Sequence, residues 1–596
     1  MWTQVVDPLG NIGLSALVAG IPVIFLFWAL AWMRMKGHWA ALGAVVLAIG
    51  VAVLVYGMPA KLALLATLNG GLFGIFPVCW IIVTALFIYN LSVKTGQFEI
   101  IKNSLASITD DRRMQALLIA FSFGAFLEGA AGFGTPVAIT AAMLTGLGFN
   151  PLYAAGVCLI ANTAPVAFGA IGIPIVVAGQ VSGIPDFAIS QMVGRTLPFL
   201  SVVIPLYLTI LMSGWKKGLE VWPACLVCGV SFALVQFLSA NYLGPLLPDI
   251  LASIASIISV VLFLKVWHPK ESWHFSEEKV SIGREQLRYT GGQVFRAWAP
   301  FIILSIFVAA WGVPCIKVAL DKLFLVKFQI DGLHNMVLKG TSPLPAVYAL
   351  NLLSAAGTAI LFAGVFSIPV MGASLGTALW VAGDTVNKLK WPIVTIALIL
   401  GFAYIFNFSG MVVTLGNAFA ATGVFFPFFA PFLGWLGVFM TGSDTSSNAF
   451  FSKLHVVTAQ QIGVDPVVLV AANSSGGVCG KMISPQSIAV ATSATGLVGK
   501  ESDIFRFTLK HSIILTAVVG VMVALQAYAV KWIIPVYQKV AAAAPAVVKA
   551  AAQSPAANGT DYLVGTFVIA LAITLLSMAM GKMIEVQEGS DSIHFH

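Results

Sequence analysis

Two carboxylates and one ammonium stand where an apolar chain tolerates charge least. Glu128 closes the run Gly124-Ala125-Phe126-Leu127, and Asp444 comes three residues after Thr441 at the end of another apolar run. An ionised carboxylate in such surroundings is costly unless paired, so either residue is a candidate proton carrier. The plainer role is to cap the helix beside it. Lys481 follows Asn473-Ser474-Ser475-Gly476-Gly477-Val478-Cys479-Gly480. It could hold a small anion, or pair with Asp444 or Glu128 and only support the fold.

Small and hydrogen-bonding residues gather around these charges: Gly132, Gly134 and Thr135, then Asn162 and Thr163, then Ser443, Thr445, Ser446 and Asn448, and finally Asn473, Ser474 and Ser475. Helix N-termini offer unpaired N–H groups and a positive dipole end, which suit a carboxylate, and hydroxyls and amides add neutral hydrogen bonds. With Lys481 these residues form the candidate substrate-binding set, and Asp444 and Glu128 the candidate proton-coupling pair. The substrate such a set favours is a small carboxylate carrying an adjacent hydroxyl. Arg195 and His455 are weaker candidates, expected near a membrane edge. Asp384, beside Lys388 and Lys390, reads as a solvated interfacial charge.

Other chemistries lack their parts. Gly476-Gly477-Val478-Cys479-Gly480-Lys481-Met482 is too short for a phosphate loop and has Met where a magnesium-holding Ser or Thr would stand. There is no HExxH, and no Gly-x-Ser-x-Gly with a partner histidine, so no enzyme, metal or cofactor is indicated. Cys225 and Cys228 have redox spacing, but in an apolar run without partners they read as small hydrophobes. Asn558-Gly559-Thr560 fits a glycosylation sequon within a linker-like stretch, 540–560.

The elements that must position these residues are membrane helices. Of 596 residues, 59% are hydrophobic and 9% charged, and mean hydropathy is +0.96. A soluble domain carries roughly a quarter charged residues. This excludes a soluble enzyme, a nucleic-acid binder and a disordered chain. The net charge of +8 comes from short basic clusters between apolar runs, the pattern of the positive-inside rule. The start, MWTQVVDPLGN, has no Lys or Arg before the first apolar run, so that run is expected to stay as a helix rather than be cleaved. Spans are expected at about 12–33, 39–57, 72–91, 196–213, 219–240, 250–266, 298–313, 346–367, 391–409, 512–534 and 562–583. Alternating them from an outside N-terminus puts Arg34 and Lys36, Lys94 to Arg113, Lys216 and Lys217, the loop 265–297, and Arg506 and Lys510 in the cytoplasm. Segment 314–345, with Lys317, Lys322, Lys327 and Lys339, falls outside.

Two stretches, about 114–180 and 425–500, are apolar but interrupted by Gly, Ser, Thr, Asn and Pro, and they echo each other. Seven positions separate Asn162 from Gly169 and Asn473 from Gly480; five more lead to Pro174 and Pro485. Gly148-Phe149-Asn150-Pro151 matches Gly463-Val464-Asp465-Pro466. The first stretch enters from the cytoplasm and the second from outside, so the repeat is inverted. Each copy is expected to supply a re-entrant hairpin and a helix broken near Asn162 or Asn473, a pattern of secondary transporters. The expected fold is therefore an all-α polytopic membrane protein: an inverted repeat with two re-entrant hairpins and two broken helices, arranged as scaffold plus transport domain. Its divisions are N-terminal helices (1–59), a first repeat (60–213), linking helices (214–371), a second repeat (372–535) and a linker, further span and tail (536–596).

The stretches GAFLEGAAGFGTPVAITAA, ANTAPVAFGAIGIPI, AISQMVGRTLPF, PFLGWLGVFMTGSDTSSNA and VAANSSGGVCGKMISPQSIA closely resemble the bacterial L-lactate permease family, which includes glycolate permeases. The resemblance runs from Val6 to about Pro535. It implies a multi-pass inner-membrane symporter that imports L-lactate, and often D-lactate or glycolate, with protons, and it implies no cofactor. The chain departs from the family pattern at Thr135, where alanine is usual, and in the tail after Pro535. The residues themselves leave two other readings open: a sodium-coupled carrier, in which backbone carbonyls and Ser or Asn oxygens at the turns hold the cation, and an uncoupled channel or sensor. A sensor would need a signalling domain, and the segment 265–297 is shorter than one. Partners beyond substrate, protons and the bilayer are not indicated.

Overall fold

The computed structural model describes residues 1–33, 35–132, 134–275, 289–340, 342–497 and 500–537. The expected span at 562–583, the linker 540–560 with its sequon, the rest of 538–596, the middle of the loop 265–297, Arg34 and Phe133 lie outside the described residues. Among the described residues, ten helices are long and apolar enough to cross a membrane, or eleven if the bent pair Pro151–Ala161 and Val166–Ser182 counts as one. With no water to pair with, backbone groups inside a bilayer must bond within their own segment, and helices do that.

Several spans differ in length from the sequence reading. Ala60–Lys94 is one 35-residue span, interrupted at Gly74–Cys79, where Phe76 leaves helical geometry ahead of Pro77. Leu375–Ser409 is also 35 residues, reaching back through Asp384, whose carboxylate pairs with Lys388 at 2.7 Å on an exposed face. The span expected at 346–367 is corrected. Val347–Leu350 is a strand paired with Val326–Gln329, and the helix that follows is Ala356–Met371. The chain is thus not wholly α. Trp2–Thr3 pairs with Val337–Lys339, which pairs in turn with Ser342–Pro343. Apolar composition alone does not distinguish these extended segments from helix.

Both ends of the molecule are tied. The Arg113 guanidinium meets Asp111 at 2.6 Å and donates to the Lys217 carbonyl at 2.7 Å and the Glu271 carbonyl at 3.0 Å. Residues 111–113, 217 and 271, all assigned from sequence to one side of the membrane, therefore meet one another. Near Trp2–Thr3, the Gln4 amide donates to the Asn407 and Phe408 carbonyls at 2.8 Å each.

The two echoing stretches start their helices in the same way. Asn150 caps Pro151–Ala161 by accepting from the Leu152 N–H at 3.0 Å, and Asp465 caps Pro466–Lys481 by accepting from Val467 N–H at 3.2 Å. Proline at the first helical position lacks only an N–H that would be unpaired anyway. The expected break near Asn162 is present: Pro151–Ala161 ends there and the chain bends by 64° before Val166–Ser182. The expected break near Asn473 is corrected. Pro466–Lys481 runs unbroken through Asn473, Ser474 and Ser475, and the interruption falls at Met482–Ser484, ahead of Pro485. Asn162 is followed within three residues by Pro165, whereas Asn473 has no proline before Pro485; helices stop where a proline would cost a hydrogen bond.

Gly476 stays helical because it is packed rather than bent. A β-carbon there would run into the backbone of Pro431 on Phe426–Thr441. Gly383, also helical, has open space around it. Gly476→Ala is therefore expected to destabilise the purified protein by ~1–3 kcal/mol, and Gly383→Ala to be neutral or stabilising by up to ~1 kcal/mol, as read by thermal unfolding in one detergent.

Candidate functional site

The three charges singled out from sequence are all buried, Glu128 and Asp444 at 3% exposure and Lys481 at 7%. Each sits at a helix terminus. Glu128 lies near the end of Gly124–Ala130, Lys481 is the last residue of Pro466–Lys481, and Asp444 is the first of Asp444–Ile462. A cation at a helix C-terminus and an anion at an N-terminus are each favoured by the helix dipole.

Lys481 Nζ lies 2.6 Å from Glu128 Oε1. The other oxygen of Glu128 accepts from the Asn162 amide at 3.0 Å. The space Glu128 occupies exists because residue 169 is glycine: a β-carbon there would stand 2.5 Å from Oε1. Asp444 has a different shell. Its Oδ2 accepts from the Ser474 hydroxyl and, at 3.2 Å, from the Asn448 amide. Gly477 leaves room for its Oδ1, which has no hydrogen-bond partner among the described residues. Of the two pairings the sequence allowed for Lys481, the one with Glu128 is formed.

The amides continue the network. Asn448 Nδ2 also donates to the Pro174 carbonyl at 3.1 Å, joining the second echoing stretch to the first. Asn473 Nδ2 donates to Asn448 Oδ1 at 2.8 Å, and His455 Nε2 stands 3.0 Å from Asn473 Oδ1. His455 is fully buried here. Arg195, only part-buried, donates to Asn241 Oδ1 at 2.8 Å and to the Ile533 carbonyl.

Not every candidate joins the network. Ser443 is spent capping, its hydroxyl accepting from the Ser446 N–H at 3.3 Å. Gly132 and Gly134 take the left-handed conformation that turns the chain into Thr135–Gly146. Thr135 and Thr445 are half-buried and make no side-chain hydrogen bond among the described residues. Asn162 Oδ1, Thr163 Oγ1 and Ser475 Oγ are buried and unpartnered there as well. Leaving a buried polar atom unpaired costs about 1–3 kcal/mol, so these atoms mark where a polar ligand or water is wanted. Cys225 and Cys228 are buried free thiols, touching Thr209 and the Ser122 and Ser256 hydroxyls respectively.

Sequence reasoning missed Asp249. It stands one residue before the span expected at 250–266 and would pass for an edge charge, yet it is 1% exposed in the first turn of Pro248–Phe263 and packs against Gly129, the residue after Glu128. An acidic residue directly after a Pro at the head of an apolar run was the available signal.

Buried charges at helix ends beside unpaired polar atoms, in a multi-pass helical membrane protein, are a pattern of transporters. The L-lactate permease family model matches residues 15–530. The chain is 55% identical to the L-lactate permease of Bacillus subtilis, covering 90% of this chain and 100% of that one. It is 53% identical to the glycolate permease GlcA of Escherichia coli K12, over 88% and 98%, and 51% identical to the L-lactate permease of the same organism, over 90% and 100%. The chain belongs to the L-lactate permease family.

Removing one member of a buried ion pair strands the other, at a cost of about 3–5 kcal/mol. Lys481→Met is therefore expected to lower the unfolding temperature sharply. Adding Glu128→Gln is expected to restore most of that loss, while adding Asp444→Asn restores little. Thermal unfolding of the three purified variants checks this.

Proposed function

We propose that the protein is a proton symporter importing L-lactate, with D-lactate and glycolate, across a bacterial inner membrane. The names of its relatives support the substrate class. The observation that carries the coupling is the 2.6 Å pair of Lys481 with Glu128. A substrate carboxylate can take the ammonium only if Glu128 gives it up, and protonation is what makes Glu128 give it up. One proton and one anion then enter together, and the charge of the site does not change. In water two unit charges at 4 Å interact by ~1 kcal/mol, and at an effective dielectric of about 20 by ~4 kcal/mol. In a buried site the exchange of partners is therefore energetically decisive.

Asp444 fits this role less well than the sequence suggested, since its neighbours are the neutral Ser474 and Asn448. Asn162, Thr163 and Ser475 supply the free polar atoms for the carboxylate and hydroxyl. The inverted repeat, with turns at Gly132 and Gly134 and at Gly442, is the frame we assign to the moving part: 114–180 and 425–500 as transport domain, the remaining helices as scaffold.

Uptake of labelled lactate by proteoliposomes tests this. A pH gradient alone is expected to drive accumulation and a sodium gradient alone is not; the opposite result refutes proton coupling. Glycolate is expected to compete, and propionate to compete at least ~10-fold more weakly, because losing the hydroxyl leaves buried polar groups unpaired. Equal competition by propionate refutes the reading of the hydroxyl. Glu128→Gln is expected to abolish accumulation driven by the pH gradient, whereas Asp444→Asn retains it.

A further inference from the structure

We infer that Asp249 is a proton-relay residue, which hands the coupling proton to Glu128 and takes it back; the inference rests on the proton-coupled reading above. Asp249 opens Pro248–Phe263 and is packed onto the Glu128 helix. A β-carbon on Gly129 would lie 2.8 Å from the Asp249 β-carbon and 3.1 Å from the Ile250 nitrogen, so the two backbones touch beside Glu128. Neither carboxylate oxygen of Asp249 has a hydrogen-bond partner among the described residues.

A structural role does not account for this residue. An acid in a helix's first turn gains about 0.3–1 kcal/mol from the dipole, while an unpaired buried carboxylate costs several kcal/mol. Asp249 also forgoes the capping bond, since no backbone N–H reaches it. The polar neighbour that faces it, the Gln236 amide on Trp222–Tyr242, acts on it as a hydrogen-bonding group but is shared with other partners: its Oε1 accepts from Ser201 at 2.9 Å and its Nε2 donates to the Ala164 carbonyl at 3.1 Å. From the Ala116–Phe123 segment comes only the neutral Ser122, bonded to Ser256. The charges acting on Asp249 are those of Glu128 and Lys481. In the relay, Asp249 carries the proton while Lys481 pairs with Glu128.

The transfer balances. As the substrate carboxylate takes Lys481, the Asp249 O–H bond breaks and an O–H bond forms on Glu128. A proton from the aqueous side then refills Asp249. On release the order reverses, and one proton has crossed with one anion. Exchange of one lactate for another leaves Glu128 protonated throughout and does not use the relay.

The test compares net uptake with exchange in proteoliposomes holding the full-length protein. In Asp249→Asn the ratio of net, pH-driven uptake to lactate–lactate exchange is expected to fall by at least ~10-fold, the low end of what positioned acid–base groups contribute being about 100-fold. Asp249→Glu, which keeps a titratable group, is expected to regain net uptake with a displaced pH profile. Equal slowing of uptake and exchange in Asp249→Asn, or an unaltered ratio, overturns the relay. If Asp249→Asn does not insert, the Glu variant decides: a displaced profile of net uptake supports the relay and the wild-type profile overturns it. A wild-type protein that a pH gradient does not drive at all refutes instead the coupling reading, and the relay with it.

Discussion

One buried ammonium, paired with one of three buried carboxylates, governs the rest of this structure. Lys481 pairs directly with Glu128, and Asp444 and Asp249 are buried on helices packed against those that carry the pair. The carboxylates come from three different helices, Gly124–Ala130, Pro248–Phe263 and Asp444–Ile462. Charges taken from water are repaid only by a close partner and further hydrogen bonds. The packing of these helices therefore has to satisfy one electrostatic centre, and any anion entering it competes with residues already in place. Such competition is what a coupled carrier needs, since a ligand shifts an equilibrium only by its differential affinity for the two states.

The geometry that brings these groups together depends on small residues and on where helices stop. Glycine at 169 and 477 leaves the volume that the Glu128 and Asp444 carboxylates fill. Gly476 lets Pro466–Lys481 lie against the backbone of Phe426–Thr441, in keeping with the use of small residues wherever helices must approach closely in a membrane. The interruption at Met482–Ser484 ends the helix on Lys481, so that the carbonyl end of the dipole and the Glu128 carboxylate act on the same cation. The Asn448 amide, reaching both Asp444 and the Pro174 carbonyl, makes the two echoing stretches one body at this point.

Much of this was legible in the residue order. Low charge and long apolar runs determined a multi-pass membrane protein, because the bilayer admits little else. The match of Gly148-Phe149-Asn150-Pro151 with Gly463-Val464-Asp465-Pro466 was visible in the sequence, and both stretches are capped helix starts in the structure, since capping is settled within a few residues. Glu128, Asp444 and Lys481 stood out because charge inside apolar sequence is rare. Tertiary structure decided the remainder. Which carboxylate Lys481 holds depends on a contact between residues 353 positions apart. Asp249 went unnoticed in the sequence, and only its packing against Gly129 sets it beside Glu128. The helix break expected near Asn473 lies instead at the residues before Pro485, since Gly476 and Gly477 serve packing rather than bending. The strand at Val347–Leu350 took the place of helix because its partner is Val326–Gln329. Spans and caps follow from local hydropathy and local hydrogen bonds, whereas pairing, burial of single charges and strand partners depend on which distant segments share the same space.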